Sequence, residues 1–170
     1  VLTKSDLAET YRRDLEDLES LVPGMIVDRM NTTPRGAAIA FRGLGSSGAS
    51  KAFDPAVAVN IDGVYICTPT SRMQVLFDFD LVEVVRGPNT FEANPNIAGS
   101  LNLERGRPTG ELDVDMRVSM GIGDRRETDV VINTPSIGDV SAKLGIYWQD
   151  RGGAYMKNVF SGRDENTEDY

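Results

Sequence analysis

Three successive runs between Leu112 and Trp148 keep their apolar residues on one parity. Leu112, Val114, Met116, Val118, Met120 and Ile122 alternate with Asp113, Asp115, Arg117, Ser119 and Gly121. A Gly123-Asp124 turn signal follows, and then Thr128, Val130 and Ile132 stand opposite Asp129, Val131 and Asn133. A second turn signal at Gly138-Asp139 leads to Val140, Ala142, Leu144, Ile146 and Trp148, opposite Ser141, Lys143, Gly145, Tyr147 and Gln149. A strand sends successive side chains to opposite faces, so each run offers one apolar face and one polar face. Runs of about 10 such residues, joined by turns and tipped with aromatics, match the strands of transmembrane β-barrels. Three strands cannot close a barrel, so this reading implies strands beyond those present. An ordinary antiparallel sheet with one solvated face is the alternative.

Charge and composition remove several function classes. The chain has 170 residues, with 18 Lys and Arg against 26 Asp and Glu, a net charge of −8, and no histidine. Nucleic acid wants a basic face, so it is not an expected partner. Without histidine the chain lacks the commonest general base and the commonest metal ligand. Cys67 is the single cysteine, which excludes an internal disulfide and a cysteine metal cluster. No cofactor is expected. No stretch approaches the roughly 20 apolar residues of a membrane helix. The sequence starts at Val1 with no signal-peptide pattern, which decides nothing because exported proteins shed that segment.

The first 110 residues read as short mixed elements. Thr3, Lys4, Ser5 and Asp6 resemble a capping box at the start of a short helix bearing Leu7 and Ala8. Asp14 and Asp17 start a second helix with a Leu15, Leu18 and Leu21 stripe, stopped by Pro23-Gly24. Strands are expected over 25–28, 38–41, 57–61, 64–66, 82–86 and 100–104, and a helical turn over 76–81. Asp62-Gly63 is a type I′ hairpin signal, since both central residues of that turn need positive φ. Residues 43–54 and 88–99 are poor in regular structure. Arg107-Pro108-Thr109-Gly110 reads as a linker, which sets a boundary near residue 110.

Few motifs carry chemistry. Gly43-Leu44-Gly45-Ser46-Ser47-Gly48 fits G-x-G-x-x-G, with Asp62 19 residues beyond Gly43. A dinucleotide site needs a helix N-terminus behind those glycines. The following Ala49 to Pro55 segment is not helical in character, so the motif argues weakly for a nucleotide-dependent enzyme. Asp78 and Asp80 could pair for acid–base work or calcium, but solvated carboxylates are the commoner case, and no calcium-loop ligand set surrounds them. Asn31-Thr32-Thr33 is a glycosylation triplet of the kind that arises by chance. Without histidine no nucleophile–base set assembles, and no enzyme is expected. Arg42, Glu83 and Arg86 differ, being charges within or at the ends of apolar strands. Charges so placed are paired or face a partner surface, because an unpaired buried charge costs several kcal/mol. A weak internal Glu83–Arg86 surface pair is the plainer alternative.

Ordered motifs then carry a family resemblance. They are Ile39-Ala40-Phe41-Arg42-Gly43, the Pro55 to Tyr65 string (PAVAVNIDGVY), Val82-Glu83-Val84-Val85-Arg86-Gly87-Pro88, and Ile97-Ala98-Gly99-Ser100-Leu101-Asn102-Leu103. Together with Val1 to Leu7 and Leu21-Val22-Pro23-Gly24, this string resembles the plug domain of TonB-dependent outer-membrane receptors. Residues 111–170 resemble that family's first barrel strands, with Gly153 to Asn158 like the start of an outer loop. The stretch Asn89 to Asn96 departs from the family's aromatic-glycine run after Arg-Gly-Pro.

The resemblance implies an α+β plug domain over 1–110, a small mixed sheet with short helices. The first antiparallel strands of a transmembrane β-barrel follow over 111–170, the whole being a fragment of a 22-stranded receptor. It implies TonB-dependent import of a scarce nutrient, such as an iron chelate, cobalamin or a saccharide, across the bacterial outer membrane. The implied partners are TonB, through a box not visible before Val1, outer-membrane lipid and the nutrient. Arg42, Glu83 and Arg86 are the candidates for plug–barrel contact, and Phe53, Tyr65, Thr70, Arg72 and Phe91 for substrate binding. A soluble α+β protein-binding module using exposed strand edges is the competing expectation.

Overall fold

The computed structural model describes residues 1–9, 14–30, 35–45, 55–88, 96–122, 124–152, 156–157, 159–162, 164–165 and 168–169. The chain divides into two compact units, Val1–Gly106 and Arg107–Tyr170.

The first unit opens with strand β1 (Leu2–Thr3) and helix α1 (Lys4–Glu9). The expected capping box is present. Thr3 N–H donates to Asp6 Oδ2 at 2.8 Å and Asp6 N–H donates back to Thr3 Oγ1 at 3.4 Å, which satisfies two backbone donors of the first turn. The second expected helix forms as a 3₁₀ segment, Glu16–Ser20, rather than an α-helix. Asp14 Oδ1 accepts from the N–H groups of Glu16 and Asp17 at 3.0 and 3.3 Å, while Leu15 and Leu18 are buried. The segment ends shortly before Pro23 and Gly24, with a single α-type bond from Val22 N–H to the Leu18 carbonyl at 3.0 Å, and short 3₁₀ pieces suit such connectors.

Strands β2 (Met25–Arg29), β3 (Ala37–Phe41) and β4 (Leu44–Gly45) form an antiparallel three-stranded sheet. Strands β5 (Val57–Ile61), β6 (Val64–Tyr65), β7 (Phe79–Arg86) and β8 (Gly99–Arg105) join β1 in a mixed sheet ordered β1-β7-β8-β5-β6. Only the β5–β8 pairing is parallel. Asp62 and Gly63 have φ of 50° and 80°, the type I′ turn expected between β5 and β6. The helical turn expected over 76–81 is absent. Residues 79–81 lie in β7, and Asp78 adopts a positive φ of 58° that a helix does not allow. Aromatic Phe79 and branched Val82 bury in the sheet, so packing overrides the weak local helical signal.

Val57, Val59, Leu101, Leu103 and Val82 project from one face of the mixed sheet into a core shared with Leu15, Leu18, Val27, Ile39 and Phe41. Each such large side chain contributes about 1.5–3 kcal/mol when fully removed from water. Gly99, at φ 145°, lies where a Cβ would strike the Val85 carbonyl and the Phe41 ring, so a side chain there would separate β8 from its neighbours.

The second unit is an antiparallel sheet of β9 (Asp113–Gly121), β10 (Arg125–Asn133) and β11 (Lys143–Arg151). The short strands β12 (Met156–Lys157), β13 (Asp164–Glu165) and β14 (Glu168–Asp169) follow, with β14 pairing the end of β11. The run centred on Thr128 to Ile132 is longer than its apolar residues suggest, nine residues, because both neighbours pair along its full length.

Candidate functional site

Two surfaces carry the chemistry, one on each unit. In the second unit, register decides which side chains share a face. Val118, Thr128 and Trp148 lie opposite one another, as do Met116, Val130 and Ile146, and Val114, Ile132 and Leu144. Directly opposed residues point the same way, so the three runs build a single apolar face. That face is not covered: Val114, Met116, Val118, Leu144 and Ile146 each keep more than half their surface accessible, and Trp148 keeps 48 %. A contiguous apolar patch of this kind marks a surface made for lipid or a partner. A nine-residue strand rises about 30 Å, or about 23 Å when tilted by roughly 40°, close to the height of a lipid-facing barrel band.

The opposite face of this sheet is polar and internally paired. Arg117 Nε lies 3.4 Å from Asp129 Oδ2, and Arg125 Nε donates to Glu127 Oε1 at 2.5 Å. Glu127 and Asn133 are buried. Tyr147 Oη donates to Gln149 Oε1 at 2.7 Å.

On the first unit, the mixed sheet turns a polar row away from its core. Tyr65, Asn60, Asn102 and Glu83 are successive register partners across β6, β5, β8 and β7. Asn60 Nδ2 donates to Asn102 Oδ1 at 2.8 Å, and Asn102 Nδ2 donates to Glu83 Oε2 at 3.1 Å. The signal for this row lay in the sequence: Asn60 and Asn102 occupy the parity opposite to Val57, Val59, Leu101 and Leu103. Glu83, expected from the sequence to be paired or to face a partner surface, has the Asn102 carboxamide as its partner, which the sequence reading does not name.

The three charges singled out from the sequence have distinct settings. Arg42 is exposed and, at φ 52°, forms with Gly43 at 80° a second tight turn, joining β3 to β4. Arg86 Nη1 donates to the Pro23 carbonyl at 3.3 Å. Glu83 pairs with Asn102 rather than with Arg86, so the plain Glu83–Arg86 alternative is not formed.

Three of the expected substrate-facing residues, Tyr65, Thr70 and Arg72, lie among the described residues. Tyr65 is half-buried in β6, and Thr70 is half-buried in a 3₁₀ turn over Pro69–Ser71. Arg72 is buried at 1 % exposure, with Nη1 donating to the Val57 carbonyl at 3.0 Å and Nε and Nη2 to the Ile66 carbonyl at 3.3 and 3.2 Å. Its guanidinium braces the loop to β5 instead of facing solvent. Nothing in the local sequence separates such a bracing arginine from a ligand-binding one. Phe53 and Phe91 lie outside the described residues, as does the Asn31-Thr32-Thr33 triplet.

The glycine motif also resolves. Gly43 belongs to the Arg42-Gly43 turn, and Gly45 lies in β4 where a Cβ would strike Ala40. Gly43 and Gly45 thus serve a hairpin and a close strand approach. Gly48 lies outside the described residues.

Near the start of the chain, Arg29 bridges Asp14 and Glu16, and Glu19 accepts the Val27 N–H on the open side of β2. Burial pushes the Asp14 carboxyl above its ordinary value, against the opposing pull of Arg29. Asp6 is held below its ordinary value by the Thr3 backbone N–H and then by the Thr3 hydroxyl.

Comparison with known proteins identifies the family. Residues 1–100 match the TonB-dependent receptor plug domain family. Comparison with curated protein sequences gave no match. Among solved structures, the chain is similar to the ferric yersiniabactin uptake receptor FyuA from Yersinia pestis, at 22% identity and TM-score 0.77, covering 96% of this chain and 25% of that one. It is similar to the pyoverdine outer membrane receptor FpvA from Pseudomonas aeruginosa at 18% identity and TM-score 0.71, covering 91% and 22%. It is also similar to the alcaligin outer membrane receptor FauA from Bordetella pertussis at 20% identity and TM-score 0.65, covering 88% and 25%. The chain thus spans about a quarter of the length of these structures. Its fold is that of a plug with a mixed sheet and few helices, followed by strands matching part of a receptor barrel that is not closed here.

Proposed function

Because this chain belongs to the TonB-dependent receptor plug domain family, we propose that it is the plug and first wall strands of a receptor importing an iron chelate across the bacterial outer membrane. The observation that carries this reading is the succession of a plug-family match over residues 1–100 and a sheet whose apolar face is uncovered. Residues 1–110 act as the plug and 111–170 as the first strands of the wall, with outer-membrane lipid against Val114, Met116, Val118, Ile146 and Trp148. The iron-chelate class is supported by the uptake of ferric yersiniabactin, the binding of pyoverdine and the naming of an alcaligin receptor among the similar structures.

The mechanism is mechanical rather than catalytic. The chelate binds at the outer loops of the plug, TonB engages a box preceding the plug, and traction rearranges the plug so that the bore opens. A plug suited to this keeps polar, wet contacts to the wall, which separate more readily than a dry apolar interface. Arg42 and Arg86, with Glu83 steadied by Asn102, are the plug–wall candidates. Tyr65 and Thr70, together with Phe53 and Phe91, are the substrate-facing candidates. Arg72 contributes by fixing the Ile66 to Arg72 loop that carries Thr70.

The test is uptake of radioactive iron chelates by cells with the gene intact, disrupted and restored, each with and without functional TonB. Loss of uptake of one chelate on disruption, and equal loss without TonB, is the expected result. Unchanged chelate uptake together with lost cobalamin or saccharide uptake would move the substrate class. No TonB-dependent uptake of any of the three would overturn the reading.

A further inference from the structure

The linker between the two units is fastened to the sheet that follows it. Asp113 opposes Asn133 in the last regular rung between β9 and β10. Gly110 and Ser136 each lie three residues beyond that rung, past the end of the regular pairing. Between them lies Pro135, which has no N–H to give, so the ladder is interrupted there. Beyond it a separate contact forms: Ser136 N–H donates to the Gly110 carbonyl at 2.9 Å and Ser136 Oγ donates to the same oxygen at 3.4 Å. Thr109 N–H donates to Oδ1 of the buried Asn133 at 3.4 Å. The turn behind Ser136 is itself closed, with Ile137 and Val140 exchanging backbone hydrogen bonds at 2.8 and 3.3 Å. Gly110 is demanded by this arrangement, since it has φ 77° and a Cβ there would run into Ser136 Oγ.

We propose that the Gly110–Ser136 contact, with Thr109 on Asn133, is a mechanical fastening that stops traction on residues 1–106 from peeling β9 away from β10. The inference rests on the reading above that TonB pulls on the plug. Tension running down the linker reaches residue 109 first. At that point two donors from one rigid turn hold the Gly110 oxygen, and β9 lies beyond them. Without the fastening, the same tension would act on the terminal β9–β10 rung at Asp113 and open the ladder one pair at a time. Ser136 and Gly110 are positioning residues that act through the β9–β10 ladder.

The test pulls the intact receptor in lipid bilayers through a handle at Val1→Cys and reads the contour length released. In the native receptor, unravelling is expected to stop before residue 110. Gly110→Ala is expected to release about 40 Å more, the extended length of residues 110–121 at roughly 3.6 Å each. Ser136→Ala keeps the main-chain contact and is expected to stop where the native receptor does. Equal lengths for native and Gly110→Ala receptors would overturn the proposal. Should Gly110→Ala not assemble, hydrogen exchange in the native receptor decides. A Ser136 amide protected as well as those of β9 supports the fastening, and one exchanging at a loop rate overturns it. TonB-independent uptake would remove the traction reading while leaving these lengths unchanged, so the two failures are distinguishable.

Discussion

Val59 and Val118 occupy strands of similar alternation, yet the first is fully buried and the second is 55 % exposed. The difference lies in what each unit has available to cover its apolar face. In the first unit the 3₁₀ segment brings Leu15 and Leu18, and the three-stranded sheet brings Val27, Ile39 and Phe41, over the mixed sheet. The second unit has strands and short turns, and its apolar face stays open. One unit therefore has its own interior, and the other leaves its apolar face exposed. Alternation fixes which residues share a face. What the face meets depends on the elements around it.

The sharpest way to break this comparison is to separate the units. Residues 1–110 made alone are expected to be soluble and cooperatively folded. Residues 111–170 made alone are expected to aggregate in water, because they combine an open apolar face with the unpaired outer edge of β9. They should become ordered only with detergent or more of the wall. Circular dichroism and light scattering check both halves. A monomeric, folded 111–170 without detergent would remove the distinction.

Substitution sharpens it next. Leu101→Ala in the first unit is expected to cost about 2–5 kcal/mol in denaturant unfolding of residues 1–110, through lost burial and the cavity left. Gly99→Ala should fall in the same damaging class, because the added methyl meets the Val85 carbonyl and Phe41. In the second unit, Val118→Ala leaves no interior cavity. Val118→Arg in the intact receptor is expected to cost about 2–4 kcal/mol of stability in a bilayer if the residue lies near mid-depth, and less toward either rim. A Val118→Arg receptor as stable in lipid as the native one would contradict a lipid-facing role.

The same contrast explains what was legible in the sequence. The β9 to β11 face could be read residue by residue, because strands of period two carry their whole pattern locally. So could the Thr3/Asp6 cap and the Asp62-Gly63 turn, where a few adjacent atoms settle the conformation. Long-range relations were not legible. Arg72 reaches a carbonyl 15 residues away, and Asn102 meets Glu83 and Asn60 only because the sheet order is β7-β8-β5. Arg42-Gly43 forms a tight turn like Asp62-Gly63, but arginine at positive φ is uncommon enough to hide it behind the glycine motif. The substrate surface was least legible, since two of its three aromatic candidates, Phe53 and Phe91, sit on the two segments of poorest pattern.

The smallest expected effects concern how the first unit fastens its opening segment. Arg29 is about half exposed, as is its partner Glu16, so Arg29→Ala is expected to cost no more than about 1 kcal/mol. Asp14 is more informative, because its carboxyl titrates above the ordinary aspartate value of 3.8 in the folded state. Between 3.8 and that raised value the folded chain binds more protons than the unfolded chain. Asp14 therefore adds stability as pH falls through its folded pKa, an increment complete below 3.8 and lost on return to neutrality. Asp6 acts in the other window: its lowered pKa gives stability present above 3.8 and lost as pH falls below it. Asp14→Asn keeps an acceptor for the Glu16 and Asp17 N–H groups while removing both the titration and the charge that Arg29 pairs with. Thermal melts of residues 1–110 from pH 7 to pH 4 should show the native curve rising relative to Asp14→Asn on acidification. Parallel curves would show that burial of this carboxyl is relieved in solution, and that the opening segment sits more loosely on β2 than the core beneath it.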